Sequence, residues 1–170
     1  LSVLRDMGAR IEIKNAREES GEPIADLIVL PSKLSGVILN GSIIPNIIDE
    51  IPILSIAAAF AEGETIIRDA AELRVKESDR LKAISDGLLK LGVSHINFDD
   101  GIKINGNPRL LDLPGPVQID SYDDHRIAMS FLIAGLNCNQ PITVLDCDNI
   151  LTSFPAFIEL TASLGYNLEK

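Results

Sequence analysis

The stretch Leu73-Arg74-Val75-Lys76-Glu77-Ser78-Asp79-Arg80 brings three cations and two carboxylates together just ahead of an apolar helical stripe that begins at Leu81. Lys76 and Arg80 lie one helical turn apart, beside a helix N-terminus, where an anion is well received. Glu77 between them would be an acid–base group held among cations. The same letters also fit a plainer reading, a solvated helix start whose acids sit at the positive end of the helix dipole. Charge pattern alone leaves both open.

Two further clusters share this character. Asp123-Asp124-His125-Arg126 precedes a helix that is otherwise apolar throughout. An Asp there can cap the helix and His125 can hold the turn. Arg126 is harder to place structurally, because an unpaired charge entering an apolar helix is expensive. A bound anion at that N-terminus would explain it. Asp49-Glu50-Ile51-Pro52 precedes the other apolar helix, with Pro52 suited to its first turn and either acid able to cap it. His95 lies in a strand without an acid partner and reads as structural.

The elements that carry these residues repeat. A helix ending at Met7 stops at Gly8 and a strand runs from Arg10 to Lys14. Leu81, Ile84, Leu88 and Leu91 form a helical stripe closed by Gly92 and followed by a strand from Val93 to Phe98. Phe157 to Leu164 ends at Gly165 and runs into a strand from Tyr166 to Glu169. Units of helix, glycine and strand at intervals of roughly 75 to 85 residues point to an internal repeat. Between them, Ile53 to Ala61 and Ile127 to Ala134 are apolar on every face, so they belong inside. Each is followed by a glycine, Gly63 or Gly135, and then by a strand, Thr65 to Arg68 ending at Asp69 or Ile142 to Leu145 ending at Asp146. The strands look half-polar: Lys103 alternates with Ile102 and Ile104. Buried helices with one-faced strands invert the doubly wound arrangement, in which the strands are the inner layer. Helices inside and sheets outside, related by a pseudo-symmetry axis, follow from that inversion.

The chain of 170 residues is long enough for one domain with a real core, and no convincing linker divides it. Aromatic residues are only 4% and Trp is absent, which removes the stacking platforms of single-stranded nucleic-acid binders. A net charge of -10 repels phosphate backbones, yet a few focused cations can still hold a small anion. Cys138 and Cys147 offer neither metal spacing nor a disulfide framework and read as reduced thiols of a cytoplasmic protein. The apolar run Ile51 to Ala61 is too short to span a bilayer, so no membrane partner is expected. Leu1 is not a start methionine and the chain opens directly on a helical pattern, as if cut from something longer.

Taken together, these segments resemble the EPSP synthase family. The resemblance rests on Leu73 to Arg80, on Asp124-His125-Arg126-Ile127-Ala128-Met129-Ser130, on Thr152-Ser153-Phe154-Pro155, and on Ile48-Asp49-Glu50-Ile51-Pro52 with Ala57-Ala58-Ala59-Phe60-Ala61. These occur in order over essentially the whole chain. The family transfers the enolpyruvyl group of phosphoenolpyruvate to the 5-hydroxyl of shikimate 3-phosphate by addition and elimination, releasing phosphate, with no metal or organic cofactor. The resemblance implies that Asp49 contacts the attacking hydroxyl and accepts its proton. It implies that Glu77 works at the methylene carbon and that Lys76 bridges both substrates. Arg80 and Arg126 would grip phosphoenolpyruvate, with His125 nearby; a planar guanidinium suits carboxylate and phosphate. Some members carry a lysine where Thr152 stands, so that contact is absent or replaced here.

The implied fold is mixed α/β (α+β in some schemes), an inside-out barrel of repeated βαβαββ-type units. Residues 1–170 would supply most of one such domain and half of a site. The partner domain, the N-terminal lysine, the Gly-rich segment and most shikimate 3-phosphate contacts have no counterpart, so the missing N-terminal portion is the expected partner and the chain alone is expected to be inactive. The related enolpyruvyl transferase of cell-wall synthesis, acting on a nucleotide sugar, lacks the Arg-Val-Lys-Glu-Ser-Asp-Arg stretch. A non-catalytic anion-binding module is the reading from another class. Helices are expected near residues 53–62, 78–91, 125–136 and 155–164, the first and third the most buried, with small mixed sheets that each keep one solvent face.

Overall fold

The structure, a computed structural model, describes residues 1–109, 112–166 and 168. Helix α1 (Ser2–Asp6) ends through Gly8, whose φ of 97° is costly for any residue with a Cβ, and leads into an antiparallel hairpin of β1 (Arg10–Glu19) and β2 (Glu22–Leu30). Strand β3 (Ile38–Leu39) passes into helical turns through α2 (Ile44–Ile47) and then α3 (Ile51–Ala59). Strand β4 (Gly63–Ile67) follows, then a 3₁₀ turn at Ala71–Val75 and helix α4 (Arg80–Lys90). Strands β5 (His95–Phe98) and β6 (Gly101–Gly106) form a hairpin. The rest is β7 (Val117–Asp120), α5 (His125–Gly135), β8 (Ile142–Leu145), α6 (Asn149–Ser153) and α7 (Phe157–Ser163).

Sheet pairing makes the repeat explicit. In the order β3-β4-β6-β5, a parallel pair is extended by an antiparallel hairpin, giving one βαβαββ unit with its four strands in one sheet. Among the described residues, β1 and β2 form such a hairpin without a parallel pair, and β7 and β8 a parallel pair without a hairpin. Asp69 and Asp146, which follow β4 and β8, both take left-handed backbone conformations, at φ 60° and 55°. That is a local signature of one unit written twice. The expected inversion is therefore present.

Helix α3 lies at the centre, with Ile51, Pro52, Leu54, Ser55, Ile56, Ala58 and Ala59 all buried, and it packs chiefly on α5 and β6. Expectation fails for the third helix. Only Ile127, Ala128, Ser130, Phe131 and Ala134 of α5 are buried, fewer than the seven residues of α4. The remaining apolar face of α5, at Leu132 and Gly135, borders a groove of about 690 Å³ with Val144, Ile150 and Ile158 on its other walls. No described element fills that groove. Helices α4 and α5 approach closely because α4 has no side chain at Gly87. A Cβ placed there would come within 2.1 Å of the Phe131 ring.

The four-stranded sheet has one solvent face, where Lys103 Nζ donates to Glu64 Oε1 at 2.8 Å, while Thr65, Ile67, Ile102 and Ile104 face the core. The β1–β2 hairpin breaks that rule. Ile11, Ile13, Leu27 and Val29 share one face through the pairings Ile11 with Val29 and Ile13 with Leu27, yet Val29 remains 66% exposed. Strand β1 also runs past Lys14, because a register shift between Lys14 and Arg17, with Asn15 at φ 50°, absorbs the break in alternation. Of the strand expected from Tyr166 to Glu169, residues 167 and 169 lie outside the described residues, and Tyr166 and Leu168 are not in a strand.

Helical turns are continuous from Gly41 to Ala59, further back than the apolar run in the sequence. This stretch of 19 residues is long and apolar enough to cross a membrane by composition, with a mean hydropathy of 1.4 over a window of 18, but 44% of that window is buried inside the fold and Asp49 and Glu50 interrupt it. It is the core of the domain. His95 is held by Val93 O and Ser85 Oγ at 2.9 and 2.8 Å, the structural role read from its strand. Cys138 and Cys147 are unpaired with each other, and burial pushes both thiols up, so they stay protonated.

Candidate active site

Asp49 lies in the helical turn leading into α3, Arg80 opens α4, and Asp124 caps α5. The N-termini of α4 and α5 therefore meet beside that turn, each contributing the positive end of its dipole. Arg80 is the centre of the cluster. Its guanidinium is 1% exposed and donates from Nε to Asp124 Oδ2 at 2.7 Å, from Nη1 to Asp49 Oδ1 at 2.9 Å and from Nη2 to Glu77 Oε2 at 2.6 Å. Three carboxylates from distant parts of the chain thus share one planar donor fork.

Asp124 is wholly buried and fully used. Besides Arg80 it accepts from Ser78 Oγ at 3.1 Å and from the amides of Arg126 and Ile127 at 2.9 and 3.4 Å. Burial pushes its carboxyl up, but the bond and charge of Arg80 and the two helix amides outweigh that and hold it below its ordinary value. Burial similarly works against the charge on Arg80, and Asp124, Glu77 and Asp49 reverse the effect. Removing either partner of this buried pair is costly, because the other charge is left uncompensated.

The remaining residues flank this core. Lys76 Nζ lies 2.6 Å from Glu72 Oε1 and 3.8 Å from Asp49 Oδ1, and the bond to Glu72 raises the lysine above its ordinary value. Arg126 donates from Nη1 to the Asp49 carbonyl at 2.8 Å and to Glu50 Oε1 at 3.4 Å. Its Nε and Nη2 have no hydrogen-bond partner among the described residues, so part of that fork faces outward. Glu77 and Asp49 are about half-exposed, at 53% and 42% of their side-chain surface. His125, the first residue of α5, is half-buried, with no hydrogen bond from its ring among the described residues.

Five residues singled out in the sequence, Asp49, Lys76, Glu77, Arg80 and Arg126, therefore come together; His125 is a neighbour in the chain without a bond to the cluster. Two features differ from the sequence reading. Arg80 is engaged by carboxylates on three of its nitrogens, so an anion reaching it must share or displace Asp49 or Glu77. Arg126 has protein partners that the sequence did not reveal, the Asp49 carbonyl and Glu50, which meet part of the cost of its charge. Sequence reasoning gave an Asp of this turn a capping role and missed that Asp124 also anchors Arg80, 44 residues earlier. Ser78 and Glu72 had no role in the sequence reading, and Glu50 only that of a possible cap. The available signals were the place of Ser78 in the charged stretch and the i,i+4 spacing of Glu72 from Lys76.

These groups can hold an anion between Arg126 and Lys76 and place two half-exposed carboxylates beside it, an arrangement suited to proton transfer at a bound anionic substrate. Among the described residues, no group of His, Cys, Asp and Glu is arranged to hold a metal ion.

The chain matches the EPSP synthase family, 3-phosphoshikimate 1-carboxyvinyltransferase, over residues 1–160. It is 48% identical over 169 residues to the 3-phosphoshikimate 1-carboxyvinyltransferase of Magnetococcus marinus, covering 99% of this chain and 38% of that protein. The corresponding protein of Coxiella burnetii is 46% identical over 169 residues, covering 99% and 37%. The crystal structure of EPSP synthase from Acinetobacter baumannii superposes with a TM-score of 0.89 at 43% identity, covering 95% of this chain and 37% of that one. The chain thus spans little more than a third of the length of these relatives. With its buried helices, outer sheets and charged cluster, the chain belongs to the EPSP synthase family.

Proposed function

We propose that the complete protein, of which this chain is a part, transfers the enolpyruvyl group of phosphoenolpyruvate to the 5-hydroxyl of shikimate 3-phosphate. The observation that carries this reading is the Arg80 guanidinium holding Asp49 and Glu77 at once, at 2.9 and 2.6 Å. Addition–elimination needs two proton-transfer groups on either side of one reacting unit, and these are the two half-exposed carboxylates of the cluster.

In this reading the attacking hydroxyl adds to C2 of phosphoenolpyruvate, Asp49 takes its proton, and Glu77 delivers a proton to the methylene carbon. The tetrahedral intermediate then returns a proton from the new methyl group to Glu77, the double bond re-forms and phosphate leaves. Lys76, beside Asp49, bridges the two substrates. Arg126 binds phosphoenolpyruvate through its outward-facing nitrogens, and Arg80 joins it as Asp49 and Glu77 shift; His125 borders the same site. No cofactor or metal takes part.

The carboxylates Asp49, Glu50, Glu72, Glu77 and Asp124 outnumber the cations Lys76, Arg80 and Arg126 around the cluster. Two anionic substrates therefore require further cations from outside these residues, which assigns that role to the remainder of the protein. The same reading places the protein in the cytoplasm, which cell fractionation would check. The direct test is an assay of phosphate release by the complete protein supplied with both substrates. Release that requires both supports the reading, and a folded complete protein that releases none overturns it.

A further inference from the structure

Tyr122 and Asp123, the two residues just before Asp124, both adopt left-handed backbone conformations, at φ 55° and 56°. Glycine or asparagine is the ordinary choice there, and a bulky aromatic residue in that region calls for a cause. The core does not supply one, since Tyr122 is 38% exposed. Its side chain does. Tyr122 Oη donates to Asp86 Oδ2 at 2.6 Å and accepts from Lys82 Nζ at 3.0 Å, and Lys82 also lies 4.7 Å from the centre of the Tyr122 ring. Lys82 and Asp86 in turn pair with each other at 2.5 Å, one turn apart on α4. Burial pushes Asp86 up, but its bonds to Lys82 and Tyr122 prevail and hold it low, so it is charged at neutral pH.

The other bonds of this turn stay near the β7 and β8 ends. The Tyr122 amide donates to Asp120 Oδ1 at 2.7 Å, Ser121 Oγ to the Asp146 carbonyl at 2.8 Å, and Asn149 Nδ2 to the Asp123 carbonyl. Among the described residues, only the Tyr122 phenol crosses from the turn residues 121–123 to α4, while Lys90 Nζ of α4 reaches the Gln118 carbonyl of β7 at 2.7 Å. On the buried side, the same two elements are joined by Arg80 and Asp124. The junction that delivers Arg80 and Arg126 is thus closed on both sides, by an ion pair within and by the phenol at the surface.

We propose that Tyr122 is a positioning residue: its phenol latches the strained β7–α5 turn to α4 and so fixes the spacing of Arg126 from Arg80. The proposal rests on the enolpyruvyl-transfer reading, in which those two arginines bind phosphoenolpyruvate. Tyr122→Phe in the complete protein keeps the ring over Lys82 and removes both hydrogen bonds. Tyr122→Gly suits the backbone and removes the latch altogether. Both should raise KM for phosphoenolpyruvate about tenfold while kcat stays within about twofold and Tm is nearly unchanged, the pattern of lost ground-state binding. Asp86→Asn should give a similar rise, and adding it to Tyr122→Phe should change little more, since one latch is broken either way. Unchanged kinetics, or a fall in kcat and Tm with KM intact, overturns the proposal. Amide hydrogen exchange separates this failure from failure of the functional reading. If the complete wild-type protein releases no phosphate, the functional reading fails, while the latch stands only if Tyr122→Phe accelerates exchange at the Arg126 and Ile127 amides.

Discussion

Arg126 Nη1 donates to the backbone carbonyl of Asp49 at 2.8 Å, across 77 residues of sequence. The bond goes to the main chain, so it fixes where residue 49 is presented without engaging the carboxylate itself. An anion drawn to Arg126 and the carboxylate of Asp49 would thereby be mechanically joined.

Arg126→Lys in the complete protein should therefore weaken phosphoenolpyruvate more than it slows turnover. Lysine keeps the charge but not the planar fork, and each charge-assisted bond lost costs about 1.5–3 kcal/mol. Steady-state KM for phosphoenolpyruvate should rise by roughly ten- to a hundredfold with kcat nearly preserved. A kcat loss at unchanged KM would reassign Arg126 to the chemical step.

Glu77→Gln should do the opposite. The amide can still accept from Arg80, so both substrates should bind, but kcat should fall by roughly 10²–10⁴-fold, the contribution of a positioned acid–base group. Calorimetric affinities together with single-turnover rates would separate the two effects. Lost binding with intact turnover at saturation would reduce Glu77 to an anchor for Arg80.

Much of this site could be read from residue types alone. Lys76, Glu77 and Arg80 are near neighbours in sequence, and Arg126 stands out as a permanent charge at the head of an apolar helix. The contact between Asp124 and Arg80 could not be read, because nothing local distinguishes an N-cap aspartate that also holds a distant guanidinium. The buried helices and the glycine punctuation were legible through periodicity. The β1–β2 hairpin was only partly so, since its bulge at Asn15 interrupts the alternation that reveals a strand. The incomplete cover of α5 was invisible, because an all-apolar helix looks the same in sequence whether its neighbours are present or absent.

Asp124 makes a pH prediction with a definite sign. Its folded pKa lies below the ordinary value of 3.8, so its stabilising contribution is complete above that value and is lost as pH falls through the folded pKa. Asp124→Asn should destabilise the protein at pH 7 by about 3–5 kcal/mol, because Arg80 is left buried with one partner removed. The gap between wild type and variant should narrow as pH drops below 3.8. Urea denaturation of both at neutral and acid pH would measure it, and a gap that is constant or widens in acid would contradict the assignment.

The isolated 170-residue chain should be inactive even when folded. The outer groups of its cluster, Asp49, Glu77 and Arg126, are partly open to solvent, where a charge pair at about 4 Å is worth only about 1 kcal/mol. Phosphoenolpyruvate should bind at millimolar strength or weaker, about 4 kcal/mol or less. The exposed face of Ile13, Leu27 and Val29 should also promote self-association, visible by light scattering. Supplying the missing portion in trans should restore some phosphate release; turnover by the chain alone would refute the half-site argument.

The absent side chain at Gly87 acts at a distance. Arg80 lies seven residues earlier on the same helix, roughly 10 Å along its axis. The contact with Phe131 is then a fulcrum, α4 a lever, and the guanidinium its working end. A single added methyl group at the fulcrum would tilt the lever and carry Arg80 away from Asp124, although nothing in the cluster itself had changed. A Gly87→Ala variant should thus behave kinetically as an active-site lesion, and a structure of it would show the displacement at Arg80. The tolerance of this cluster is set partly by how closely two helices can lie where neither carries chemistry.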